Sequence, residues 1–142
     1  MKKSLAEILE FTNNDIIHRY EQDYLLNHLR GDEALSELIK FLWLSKKHEG
    51  DKLLSPNDNK LKFVCGIPEE LDDMWHTFIL FTKDYAEFCA ENFGHFIHHA
   101  PTSESERLTV DLSQSNFSLY FDYVKENLGE ETTSKWFQIA LA

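Results

Sequence analysis

Only two cysteines, three prolines and five glycines occur among the 142 residues, and fourteen basic side chains stand against twenty-five acidic ones. Two thiols, Cys65 and Cys89, are too few for a disulfide scaffold. A packed core must therefore hold the fold, and the cysteine usage points to a reducing, cytoplasmic setting, one that a secreted effector folding in another cell's cytosol would share. The shortage of basic residues leaves a formal net charge of −11. Such a field repels phosphate backbones and anionic lipid surfaces, so neither nucleic acid nor membrane is expected as a partner, and it favours a cation or a basic protein. No apolar run approaches the length that spans a bilayer. Met1-Lys2-Lys3 leads into the polar stretch Ser4 to Glu10, which lacks the apolar centre of a secretory signal.

What is present is a core-forming composition: 42% hydrophobic and 13% aromatic, with eleven Phe and three Trp. The length fits one domain, 1–142, able to bury a core without metal or disulfide staples. Helix signals run along most of it. Ser4 and Glu7 have capping-box spacing ahead of a stripe of Leu5, Ile8 and Leu9. Asn14 or Asp15 can cap a second helix carrying Ile16, Ile17, Tyr20, Tyr24 and Leu25, with Gly31 as its stop, and Asp32 then caps a third with Leu35, Leu38, Ile39, Leu42 and Trp43. So short a joint predicts an antiparallel pair. Periodicity fails from Lys46 to Gly66, where Ser55-Pro56-Asn57-Asp58-Asn59 is turn chemistry without the ligand spacing of a calcium loop. Pro68 opens a fourth helix to about Phe81, Thr82 or Asp84 a fifth that Gly94 ends, Ser115 a sixth closed by Gly129, and Thr132 or Thr133 a seventh with Trp136, Phe137, Ile139 and Ala140. Thr102 to Glu106 is a polar linker, and Leu108 to Leu112 alternates weakly enough to be extended or irregular. The expected class is all-α: a compact orthogonal bundle of about six or seven short helices with one long loop near 46–66.

Chemistry concentrates between Asp72 and His99. Asp72 and His76 lie four apart on the fourth helix, and Asp73 and His76 three apart, so a carboxylate and an imidazole share a face. Cys89 sits on the next helix, and the stretch "GHFIHHAP" follows with His95, His98 and His99. A helical hairpin that brings these together would offer a thiolate, imidazoles and a carboxylate, a donor set for zinc, iron or another first-row metal. The same residues also suit plain packing, since buried cysteine behaves as a small hydrophobe and the helix dipole by itself favours histidine near a C-terminus.

The segment "LDDMWHTFILFTKDYAEFCAENFGHFIHHAP" resembles one shared by the family called glycine-rich domain-containing protein-like. The likeness is carried by Asp72, Trp75, His76, Thr82, Tyr85, Cys89, Gly94, His98, His99 and Pro101, with a fainter echo in "YVKENLGEETTSKW". Phe78 stands where many relatives have a second histidine, and His95 where a basic residue is common. The resemblance implies a small helical domain without an assigned activity, and it implies that Asp72, His76, Cys89, His98 and His99 carry whatever chemistry recurs.

Three functions fit the sequence. One is a metal-binding domain with His76, Cys89, His98, His99 and Asp72 as ligands, and Asp73, Trp75 and Tyr85 supporting them. Another is a binding or inhibitor module for a basic protein, in which the motif only holds the hairpin. The third is a Cys–His hydrolase or transferase using Cys89, although no glycine-rich elbow or dipole-facing helix start surrounds that thiol. The sequence names no reaction.

Overall fold

In a computed structural model of the chain, which describes residues 3–99 and 114–141, the protein is all-α. Its helices are α1 (Leu5–Ile8), α2 (Asn14–Asp23), α3 (Gly31–Leu54), α4 (Glu69–Leu80), α5 (Thr82–Phe93) and α6 (Gln114–Leu141), with one 3-10 turn at Asn59–Leu61. No strand occurs among the described residues. None of their helices is long and apolar enough to cross a membrane. The linker and the weak alternation expected at 102–112 lie outside the described residues, as does Pro101.

By its contacts the chain divides into two compact units: one of Met1–Trp43 with Ile67–His99, the other of Leu44–Gly66 with the described C-terminal residues 114–141. In the first, α4 packs against both α2 and α5. Ile16 and Tyr20 of α2, Leu71, Met74 and Phe78 of α4, and Tyr85 and Phe88 of α5 are each at most 2% exposed. Phe78 sits among rings, 5.6 Å from Phe11, 5.0 Å from Tyr85 and 5.1 Å from Phe88. The capping box at Ser4 and Glu7 is formed on both sides.

The second and third helices depart from the sequence expectation. Asn13, not Asn14 or Asp15, caps α2, accepting from the Asp15 and Ile16 amides. The helix ends at Asp23, leaving Leu25 and Leu26 82% and 95% exposed. The turn that follows is drawn onto α4 because the buried Glu70 carboxylate accepts the His28 amide at 3.0 Å and the Leu29 amide at 2.8 Å, and the His28 ring donates to it at 3.0 Å. Gly31 does not stop α2 but opens α3: a Cβ there would meet Ile17 Cγ2 at 2.6 Å and the Ile17 carbonyl oxygen at 2.8 Å.

Helix α3 also corrects the loop expected from residue 46, since it runs 24 residues, to Leu54. Its polar tail is laced by Lys46–Glu49 at 2.9 Å and Lys47–Asp51 at 2.8 Å, one helical turn apart. Such pairs support a helix whose apolar period has lapsed. The true loop starts at Ser55. In the second unit, the two C-terminal helices expected from sequence abut as α6 with a break at Gly129, whose φ of 88° and ψ of 172° interrupt the helix. The Thr133 hydroxyl donates to the Gly129 carbonyl at 2.7 Å. Trp136 and Phe137 are buried beyond the break.

Candidate metal centre

Pro68, with a φ of −60° and an extended ψ of 144°, is the N-cap of α4, so the helix opens one residue later than the sequence suggests, at Glu69. Glu69, Glu70 and Asp72 occupy its first turn, where carboxylates meet the positive end of the dipole. This puts Asp72 one turn before His76, on a face that Leu71, Met74 and Phe78 leave to solvent as they turn inward. Helix α5 stops at Gly94, a left-handed residue (φ 83°) whose amide reaches back to the Cys89 and Ala90 carbonyls. The chain then returns along α4, burying Ile97, and brings His99 back to Asp72.

There His99 Nε2 lies 2.8 Å from Asp72 Oδ1, and His76 Nε2 lies 3.7 Å from Asp72 Oδ2. The His76 and His99 rings stack at 4.8 Å with 10° between planes, and Trp75 stacks on His99 at 4.1 Å and 13°. One donor atom from each of Asp72, His76 and His99 falls within 4.8 Å of the other two. Donors on a tetrahedral zinc are about 3.3 Å apart, given metal–nitrogen bonds of about 2.0–2.1 Å. The observed separations straddle that value, and because the two stacked imidazole planes are nearly parallel, a shared ion would require the exposed His76 ring to turn toward His99 and Asp72. His99 and Asp72 are already hydrogen-bonded, their side chains 17% and 30% exposed, whereas His76 is 54% exposed and faces water.

The other residues singled out from sequence lie elsewhere. Cys89 is fully buried, its sulfur beside the Tyr85 hydroxyl. His98 is exposed, its ring edge-on to Phe96 at 4.7 Å, and His95 is exposed as well. Asp73 accepts from Asn27 Nδ2 at 3.0 Å. Phe78 is fully buried and faces the core. Trp75 and Tyr85 are buried and hydrogen-bonded to each other.

One constellation had no sequence signal. In the second unit the buried His48 stacks on Phe63 at 4.0 Å, its Nε2–H donates to the Leu61 carbonyl at 2.8 Å, and its Nδ1 lies 3.7 Å from Cys65 Sγ. A thiol, an imidazole and an orienting carbonyl in this order look like a nucleophile and its base. The electrostatics run the other way. Burial pushes the Cys65 thiol up to about 12. Burial also lowers His48 below its ordinary 6.5, with Lys52 adding to the effect and the Leu61 carbonyl, Asp51 and Glu49 opposing it. The pair is neutral and hydrogen-bonded, with His48 buried and Cys65 half-buried beside it.

That depressed imidazole makes stability depend on pH. The folded state prefers neutral His48, so its contribution is complete above about pH 6.5 and is lost as pH falls below that value toward the folded pKa. The urea midpoint of the wild type should drop between about pH 7.5 and 5.5, and drop less in His48→Gln. Equal drops in both proteins would assign the effect to other histidines.

A cavity of about 690 Å³ also lies in the second unit, lined by residues that include Lys47, Asp51, Lys60, Asp122 and Tyr123. Lys47 and the Tyr123 hydroxyl both bond to Asp51 there, at 2.8 and 2.7 Å. None of the three metal-donor candidates lines the cavity.

No curated protein and no solved structure matches the chain. A family model does match, over residues 53–134, a range that contains Asp72, His76 and His99. Its description names no activity and makes no mention of a glycine-rich segment. With more than half its length matched, the chain belongs to the UCP032817-like family.

Proposed function

We propose that this protein binds a divalent first-row metal ion, zinc or iron, through Asp72, His76 and His99. The observation that carries the proposal is the convergence of three donors from two segments 27 residues apart, all within 4.8 Å. Two imidazoles and one carboxylate form a borderline donor set used by both zinc and non-haem iron. Three protein ligands, one of them more than half exposed, leave a coordination position open to water. A metal held in this way acts as a Lewis acid on whatever takes that position. Cys89 and His98, expected as ligands from sequence, are outside the proposed set. The net charge of −11 adds a general attraction for cations.

Untagged protein purified without chelator should carry close to one equivalent of zinc or iron, and chelator-stripped protein should take up zinc or cobalt(II) with a saturable one-site isotherm. Metal-free protein that gives no isotherm with either ion would overturn the proposal.

A further inference from the structure

We propose that Tyr85 is the positioning residue of this centre, a role that rests on the metal reading above and adds to it a mechanism for holding His99. The difficulty His99 faces is local. Residues 95–99 belong to no helix, so no backbone ladder fixes the last ligand, although a usable site needs each donor held within about 0.5 Å of its place.

Tyr85 supplies what the ladder does not. Its fully buried hydroxyl donates to the Ile97 carbonyl at 2.6 Å, tying the backbone two residues before His99 to α5. The same oxygen accepts the Trp75 indole N–H at 2.9 Å, and the Trp75 ring stacks on His99 at 4.1 Å. The Tyr85 ring also meets Phe96 edge-on at 5.3 Å. One side chain therefore constrains the ligand twice: through the backbone of its own segment, and through the indole against which its imidazole lies. Removing the hydroxyl frees the Ile97 carbonyl and orphans the indole N–H while leaving the ring packed on Phe78. The fully buried Cys89 sulfur lies beside that hydroxyl, which gives it a packing role outside the donor triad.

Tyr85→Phe tests this. Wild type and variant are compared for zinc affinity, for the visible absorption of the cobalt(II) form, and for the ring-nitrogen NMR signals of His99 and the indole signal of Trp75 in metal-free protein. The expected result is a fall in zinc affinity of about 10- to 100-fold, the range seen when outer-shell partners of a ligand are removed. A changed cobalt(II) band and shifted His99 ring signals should accompany it. A variant that is less heat-stable but keeps wild-type affinity, cobalt(II) spectrum and His99 signals would make Tyr85 merely structural and overturn the proposal. Trp75→Phe, which keeps a stacking ring and lacks the N–H, is the second variant: it should retain more affinity than Tyr85→Phe, and the reverse order counts against the proposal. Should wild type bind no metal, the metal reading fails by itself. The His99 signals then decide Tyr85 separately, and if they are unchanged in Tyr85→Phe the positioning role is overturned too.

Discussion

Asp72→Ala is expected to lose metal retention altogether, a fall in affinity beyond the roughly 100-fold that loss of an outer-shell partner can produce. Asp72 is the hinge of the triad, with one oxygen 2.8 Å from His99 and the other 3.7 Å from His76. Its removal takes away the one anionic donor and the acceptor that holds His99 in place. His99→Ala should be nearly as severe, because His99 is the most buried of the three side chains and is braced by Trp75. His76→Ala should be milder, since a half-exposed imidazole surrenders its place to water more readily. Asp72→Asn keeps the size and one carbonyl oxygen, so it separates charge from shape. Competition titration against a chelating indicator measures all four variants. Wild-type affinity in Asp72→Ala would remove the triad as the site whatever the other variants did.

Glu70→Ala should destabilise the first unit by about 3 kcal/mol, the sum expected for charge-assisted hydrogen bonds lost and a buried donor left unsatisfied. The Glu70 side chain is 11% exposed and accepts the His28 and Leu29 amides, and Leu29 is itself buried. The ion pair with His28 adds little, because that ring is 84% exposed. Glu70→Gln retains one acceptor oxygen and should lose less. Burial pushes the Glu70 carboxyl up, but the two amide bonds and the His28 ring together bring it below its ordinary 4.5. Its contribution is therefore present above about pH 4.5 and is lost as pH falls below that toward the folded value. This window lies under that of His48, so urea unfolding at neutral pH and near pH 4 distinguishes the two groups. Equal stability of Glu70→Ala and wild type would mean that the 24–30 turn is held by something else.

Local signals in the sequence were sufficient for much of this molecule. The apolar spacing of Leu71, Met74 and Phe78, the first-turn acids after Pro68 and the left-handed glycine at Gly94 mark α4 and α5 within a residue or so of their ends. Asp72 and His76 are placed on one helical face by their separation alone. Where the sequence misleads, a distant partner decides. The stretch from Lys46 to Leu54 has no apolar period, yet it is helical because its charges pair along the helix and its His48 is buried under Phe63. Leu25 continues the stripe of α2, yet it is exposed because Glu70, on another helix, claims the His28 and Leu29 amides of the turn that follows.

The candidate site divides in the same way. The sequence by itself determined an all-α chain, an acidic field, and a set of histidine, cysteine and aspartate residues at the end of a helical hairpin. The tertiary structure decided which of them meet. Cys89, His98 and His99 are near one another in sequence, but a helix and a glycine turn point them in three directions. Cys89 faces the core, His98 faces solvent, and His99 comes back to α4. Spacing fixes direction only while the backbone is regular. After Gly94 there is no repeat to extrapolate, and the path of residues 95–99 follows from the burial of Ile97 and the hydroxyl of Tyr85.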